Sequence, residues 1–279
     1  MSDQPNQATG AHSSSVLAIA SRGGPDAERA GQSTTAALAF LIDAPLQSWG
    51  VASKFQRRDT AGWPSKSALV GLVAAAMGID KHAPDEGERL APLAALRFGV
   101  FHWPKSRRDR PDKTIATGRL ADFHTIGGGY DKTRPGERLH IPSKAGDGSP
   151  FGTVITRRTY LLDSRFIAVF DGNRGLLEKA AAALMDPVWG LWFGRKTCLP
   201  AAPLSPVVQT TRLAALCAVL TAHGGAPELA AALEGRAEDE GPGADWHADQ
   251  PVAFGLHHGA VPTSYIPRPV RRITGAELT

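Results

Sequence analysis

Three small groups of residues near the front of the chain could do chemistry together: Gln47-Ser48-Trp49, Arg57-Arg58 and Ser65-Lys66-Ser67. An amide and a hydroxyl can read a base edge, an indole offers a face for stacking, and cations neutralise phosphates. The last group sits where a helix is expected to begin, and the first N–H groups of a helix have no partners within it, which makes its start attractive to anions. No acid/base pair stands beside these residues. The chemistry they suggest is the holding of phosphates and bases. Each has a plainer reading as well: Ser65 as an N-cap, Trp49 as a core indole under the loop, and Arg57 with Arg58 as a solvated pair.

The elements that must position them follow from local pattern. Ala37 to Asp43 is an apolar run of strand length, ended by a loop with Pro45 and Gly50. Ser65 caps a helix whose stripe is Leu69, Leu72, Val73 and Ala76, and Gly78 is placed to close it. Gly71 lies inside that helix at a cost of about 1 kcal/mol relative to alanine, so something is expected to pack close to its backbone. Leu96 to Phe101 and Tyr160 to Phe170 read as strands. Asn173 caps a second helix, Arg174 to Met185, that Pro187 stops, and Leu204 to Gln209 reads as a fourth strand. The order is strand, helix, strand, insertion, strand, helix, strand. This predicts an α+β, ferredoxin-like (RRM-like) βαββαβ domain over residues 36–210. A smaller C-terminal α+β extension is expected over 211–279, with helical pieces at Thr211–His223 and Pro227–Glu234.

Charge is unevenly spread. The 279 residues carry a formal net charge of +4, and Pro104 to Arg158 alone holds twelve cations against six anions, leaving the remainder net negative. This segment, about 104–158, has eight glycines and five prolines and reads as a long functional insertion. Arg157 and Arg158 lead from it back into the sheet, where an edge arginine can reach a polyanion. By contrast, Arg236 to Gln250 has five acids and one cation, and is expected to face away from nucleic acid. Cys198 and Cys217 form no CxxC and have no His partner at ligand spacing, so a disulfide framework and a structural zinc are not expected, and a cytoplasmic setting fits; no cofactor is expected. Metal binding at His257-His258 lacks a third ligand at useful spacing. No apolar run reaches the ~20 residues needed to span a bilayer. Residues 1–35, rich in Ser, Gly, Ala, Gln and Thr, read as a disordered extension.

Six ordered motifs between Ala37 and Ile273 carry a family resemblance. They are Ala44-Pro45-Leu46-Gln47-Ser48-Trp49-Gly50, Pro64-Ser65-Lys66-Ser67-Ala68-Leu69-Val70-Gly71-Leu72, Asp122-Phe123-His124-Thr125, Arg158-Thr159-Tyr160-Leu161-Leu162-Asp163, Phe193-Gly194-Arg195-Lys196-Thr197-Cys198 and Ile266-Pro267-Arg268. Together they resemble the CRISPR-associated CasD family, the subunit that caps the 5′ end of the guide RNA in type I-E Cascade. Ala44 departs from that pattern where the family has glycine, and Trp192-Phe193 stands where a tyrosine is common.

The resemblance implies a non-catalytic RNA-binding protein that grips the crRNA 5′ handle. The insertion would act as a thumb, and target DNA would be contacted indirectly through the guide. It also implies CasC and CasA as neighbouring subunits, with CasB and CasE in the same complex. On this reading the RNA contacts are Gln47, Ser48, Trp49, Arg57, Arg58, Ser65, Lys66, Ser67, His124, Thr125, Arg157, Arg158, Trp192, Arg195, Lys196 and Arg268. Two other readings stay open. One is a metal-independent endoribonuclease acting on CRISPR repeat RNA, as in the type I-C branch, with His124 as acid or base and Lys132 or Tyr130 nearby in sequence. The other is a ferredoxin-like module with a metabolic or protein partner.

Overall fold

The computed structural model describes residues 35–50, 56–107, 110–126, 154–255 and 265–278. The expected N-terminal extension (except Thr35), residues 127–153 of the basic insertion and His257-His258 lie outside them. The strands and helices run β1 Thr35–Asp43, β2 Leu46–Gln47, β3 Trp49–Gly50, β4 Arg57–Arg58, β5 Thr60–Ala61, α1 Lys66–Ala76, α2 Glu86–Ala94 and β6 Arg97–His102. The insertion supplies β7 Ser106–Arg107, β8 Arg110–Thr114, β9 Gly118–Ile126 and β10 Val154–Leu162. Then come β11 Arg165–Asn173, α3 Arg174–Met185, β12 Val207–Gln209, α4 Arg212–Ala222, β13 Glu234–Glu238, β14 Asp245–Pro251 and β15 Tyr265–Thr274.

Seven strands form the main sheet in the order β12-β1-β11-β6-β13-β15-β14, each antiparallel to its neighbours. Alternation along β1 sorts its side chains. Leu38, Phe40 and Ile42 join one core with α1, α2 and α3, while Ala37, Ala39 and Leu41 join a second core with α4. Phe166, Ala168 and Phe170 of β11 face the first core, as the period of two predicts. Both faces of β1 and β11 are therefore buried, which is why these strands read as nearly unbroken apolar runs.

The helix ends follow their sequence signals. The Ser65 hydroxyl accepts the Ala68 N–H at 3.3 Å, and the Asn173 side chain accepts that of Leu176 at 3.0 Å. At the other end of α1, Gly78 adopts φ +67°. Its N–H reaches the Ala75 carbonyl at 3.2 Å, and the Ile79 N–H reaches the Ala74 carbonyl at 2.9 Å, the paired bonds of a Schellman stop. Over Gly71 lies the Phe254 ring, 3.5 Å from where a β-carbon would stand.

Two features differ from expectation. The single strand expected over Tyr160 to Phe170 is two strands, because Asp163 takes a left-handed conformation (φ +47°) and the chain changes sheets there. Asp163 N–H bonds the Pro45 carbonyl at 3.0 Å and Gln47 Nε2 bonds the Ser164 carbonyl at 2.6 Å, which fixes the joint. The C-terminal strands also continue the main sheet, since β13 pairs with β6.

Along β15, Arg271 donates to Asp239 at 2.7 Å and to Glu277 at 2.8 Å. Hydrogen bonds from Arg271 hold the Asp239 carboxyl below its usual range. The Thr274 N–H, then Arg271, does the same for Glu277. Depressed carboxylates contribute stability that is present above their unfolded pKa and is lost as pH falls through the folded one. Arg271→Met is therefore expected to flatten the acid limb of a urea-midpoint profile taken downward from neutral pH. Asp171, pushed up by burial, works in the opposite sense and is untouched by the change.

Candidate nucleic-acid interface

The basic insertion returns to the body as a long hairpin. In it β10 pairs with β9 along one edge and, on the other, with β4 in parallel and β2 in antiparallel register. Register then brings distant residues into rows. Arg57, Arg157 and Phe123 lie side by side across β4, β10 and β9 on one face, and Arg58, Arg158 and Asp122 on the other. Arg57, Arg157 and Phe123 are all exposed, and Phe123 is 60% exposed despite its apolar ring. Two cations beside an open aromatic face suit an unstacked base with its phosphates. Thr125 is exposed on the same face opposite Ile155.

His124 is exposed on the other face, its Nδ1 3.6 Å from Asp122. Lys132 and Tyr130, its possible catalytic partners, lie outside the described residues. Arg158 is half-buried, with Nε donating to Thr156 Oγ1 at 3.0 Å.

A groove of about 1030 Å³ opens beside this hairpin. Its lining includes Ser48, Arg58, Ser65, Ser67, Trp192 and Arg195, which come from four separate parts of the sequence. The lining also includes the apolar Ile79, Trp189 and Phe254 and the charged Asp80, Lys81 and Glu86. Arg195 is itself held in place. Its guanidinium donates to the carbonyls of Thr159 (3.2 Å) and Arg58 (2.9 Å) and lies 4.7 Å from the Tyr160 ring centre, so it ties β10 to β4. Lys196 is exposed, with its ammonium 5.5 Å from the Trp192 ring centre. Gly194 adopts φ +95° against the Ser48 carbonyl, and the Ser48 N–H bonds the Phe193 carbonyl at 3.0 Å.

Four expected contacts point inward instead, and a fifth, Ser48, is buried to 4% exposure although it lines the groove. Gln47 and Trp49 are buried; Gln47 Oε1 accepts the indole N–H at 3.1 Å while its amide holds Ser164. The core-indole reading of Trp49 is the one that holds, because the loop needs these groups to satisfy its own backbone. Lys66 is also buried, its ammonium 2.6 Å from Glu238 Oε1 and 3.3 Å from Gln250 Oε1. Burial lowers the Lys66 pKa, with Glu238 pulling the other way. Arg268 is buried too, donating to both oxygens of Asp249 at 2.7 and 3.0 Å.

The start of α1 already has an anion: Asp249 Oδ2 accepts the Lys66 N–H at 2.8 Å. The acidic segment therefore does not simply face away, since Asp249 lines the groove. Trp189, Phe254 and Tyr265 of the groove carry no local signal of their own. Gly71 in mid-helix was the one pointer to Phe254. Among the described residues no cluster of three or more His, Cys, Asp or Glu is placed to hold a metal, and no helix is long and apolar enough to cross a membrane.

Residues 37–264 match the family model described as CRISPR-associated protein (Cas_Cas5). The chain is 26% identical over 174 residues to the CRISPR system Cascade subunit CasD of Escherichia coli (strain K12), covering 60% of this chain and 68% of that one. A chain of a CRISPR RNA-guided surveillance complex superposes with a TM-score of 0.58 at 28% identity, covering 85% of this chain and 89% of its own. A crystal structure of a Cas protein gives 0.52 at 27% identity, with 85% and 94% covered. The protein belongs to the CRISPR-associated Cas5 family and is of the Cas5/CasD type.

Proposed function

We propose that this protein is a non-catalytic subunit of a type I-E Cascade complex and holds the 5′ handle of crRNA. The observation that carries this reading is the row Arg57, Arg157 and Phe123 on one face of the hairpin, with the groove lined by Arg58, Ser48 and Arg195 as a second basic surface of the same sheet. Phosphates would lie along the arginines, with bases splayed onto Phe123 and Trp192. The half-sheet β12-β1-β11-β6, with α1 and α3 on one face, supports the ferredoxin-like description. The β9–β10 hairpin would be the base of the thumb. Neighbouring subunits would be those of Cascade, CasC and CasA first, and the guide would read target DNA by base pairing.

Binding of synthetic handle RNA across a salt series tests this. Log K should fall linearly with log salt, and each of Arg57→Ala and Arg157→Ala should reduce the slope by about 0.7, the share of one phosphate contact on a single strand. Salt-independent or absent binding would remove the proposal.

The exposed His124–Asp122 pair keeps the nuclease reading alive. Incubation of the full chain with repeat RNA in EDTA separates the two. Intact RNA is expected, whereas site-specific cleavage lost in His124→Ala would make this an endoribonuclease.

A further inference from the structure

We propose that Lys66, Glu238, Asp249 and Arg268 form an ionic clasp that fixes the far wall of the groove, so that they position RNA without touching it. This inference rests on the RNA-binding reading above. The four charges come from four elements, α1, β13, β14 and β15. Two are cations and two are anions, leaving no surplus to offer a phosphate. Lys66 meets Glu238 at 2.6 Å, Arg268 meets Asp249 at 2.7 Å, and Arg268 Nη1 lies 3.6 Å from Glu238, closing the set. The lysine and arginine side chains are only 1% and 6% exposed.

The route by which Asp249 arrives is informative. The β14–β15 ladder slips its register between Ala248 and Gln250, leaving Asp249 outside the pairing. Bulges of this kind re-aim a side chain, and here the carboxylate is turned onto the first amide of α1. Ala248, Asp249 and Tyr265 line the groove together with Ser65 and Ser67 of α1. The clasp therefore joins the β14–β15 wall to the helix that carries those serines. A buried ion set is a poor source of stability, because desolvation offsets most of its attraction. What it fixes is geometry, and a site held loosely by about an ångström binds poorly.

The test uses the full chain, handle RNA and two variants, Lys66→Met and, as the milder change, Asp249→Asn. Both should unfold cooperatively. Amide exchange in β14 and β15 should accelerate, and handle affinity should fall about tenfold. The salt slope should remain that of the wild type, unlike in Arg57→Ala. A slope reduced in Lys66→Met as it is in Arg57→Ala would make Lys66 a phosphate contact and overturn the clasp. Unchanged affinity would overturn it equally, as would unchanged exchange. Wild-type protein that binds no handle RNA would instead overturn the RNA-binding reading on which the clasp rests.

Discussion

Replacing Gly194 with alanine is expected to destabilise the protein by more than about 3 kcal/mol and to abolish RNA binding. At φ +95° any L side chain is strained, and here the new β-carbon would fall on the carbonyl oxygen of Ser48. That oxygen belongs to the backbone, so no rotamer change relieves the overlap. The loop 193–195 or the turn 47–49 must shift, and the Ser48–Phe193 hydrogen bond goes with it. Because Ser48, Gly194 and Arg195 all line the groove, molecules that still fold would present a deformed site. Urea unfolding together with handle-RNA affinity measures both effects. An unfolding free energy within about 1 kcal/mol of wild type would show that the close approach is not obligatory.

Glu238→Ala is expected to cost roughly 3–5 kcal/mol, the range for removing one partner of a buried ion pair. Glu238 serves three donors: its Oε1 takes Lys66 and faces Arg268, and its Oε2 accepts the Phe98 N–H at 2.9 Å. Truncation leaves Lys66 with Gln250 alone and strands a backbone donor of β6. Lys66→Met should cost clearly less, since it removes the cation whose desolvation is the burden and leaves Glu238 facing Arg268. Denaturant midpoints of the two variants decide this, and equal losses would contradict the account.

Local signals were legible and long-range ones were not. Ser65, Gly78, Asn173 and Pro187 mark helix ends because capping is settled within a few residues. Arg57, Arg58, Arg157 and Arg158 do come together, since parallel pairing of β4 with β10 sets them in register. Lys66 and Arg268 looked like RNA contacts because their counter-charges were invisible locally. Glu238 is 172 positions from Lys66, and Asp249 is 183. Gln47 and Trp49 failed for a related reason: which polar group a loop spends on itself depends on Ser164, 117 positions away from Gln47. The break at Asp163 escaped notice because an apolar run leads up to it and another, Phe166 to Phe170, resumes three residues later. Pro92 sits inside α2 and helped hide that helix, whose acidic first turn, Glu86 and Glu88, was the remaining cue.

The joint at Asp163–Ser164 has a mechanical consequence. The hairpin strand β10 passes within two residues into β11, which is buried on both faces at the centre of the main sheet. Arg165, at the start of β11, donates to the Trp103 and Pro104 carbonyls at 3.2 and 3.1 Å and stacks 3.6 Å above the Trp103 ring. Such a junction transmits force and leaves little play for swivelling. A load applied to the β9–β10 pair would therefore pass directly into the main sheet.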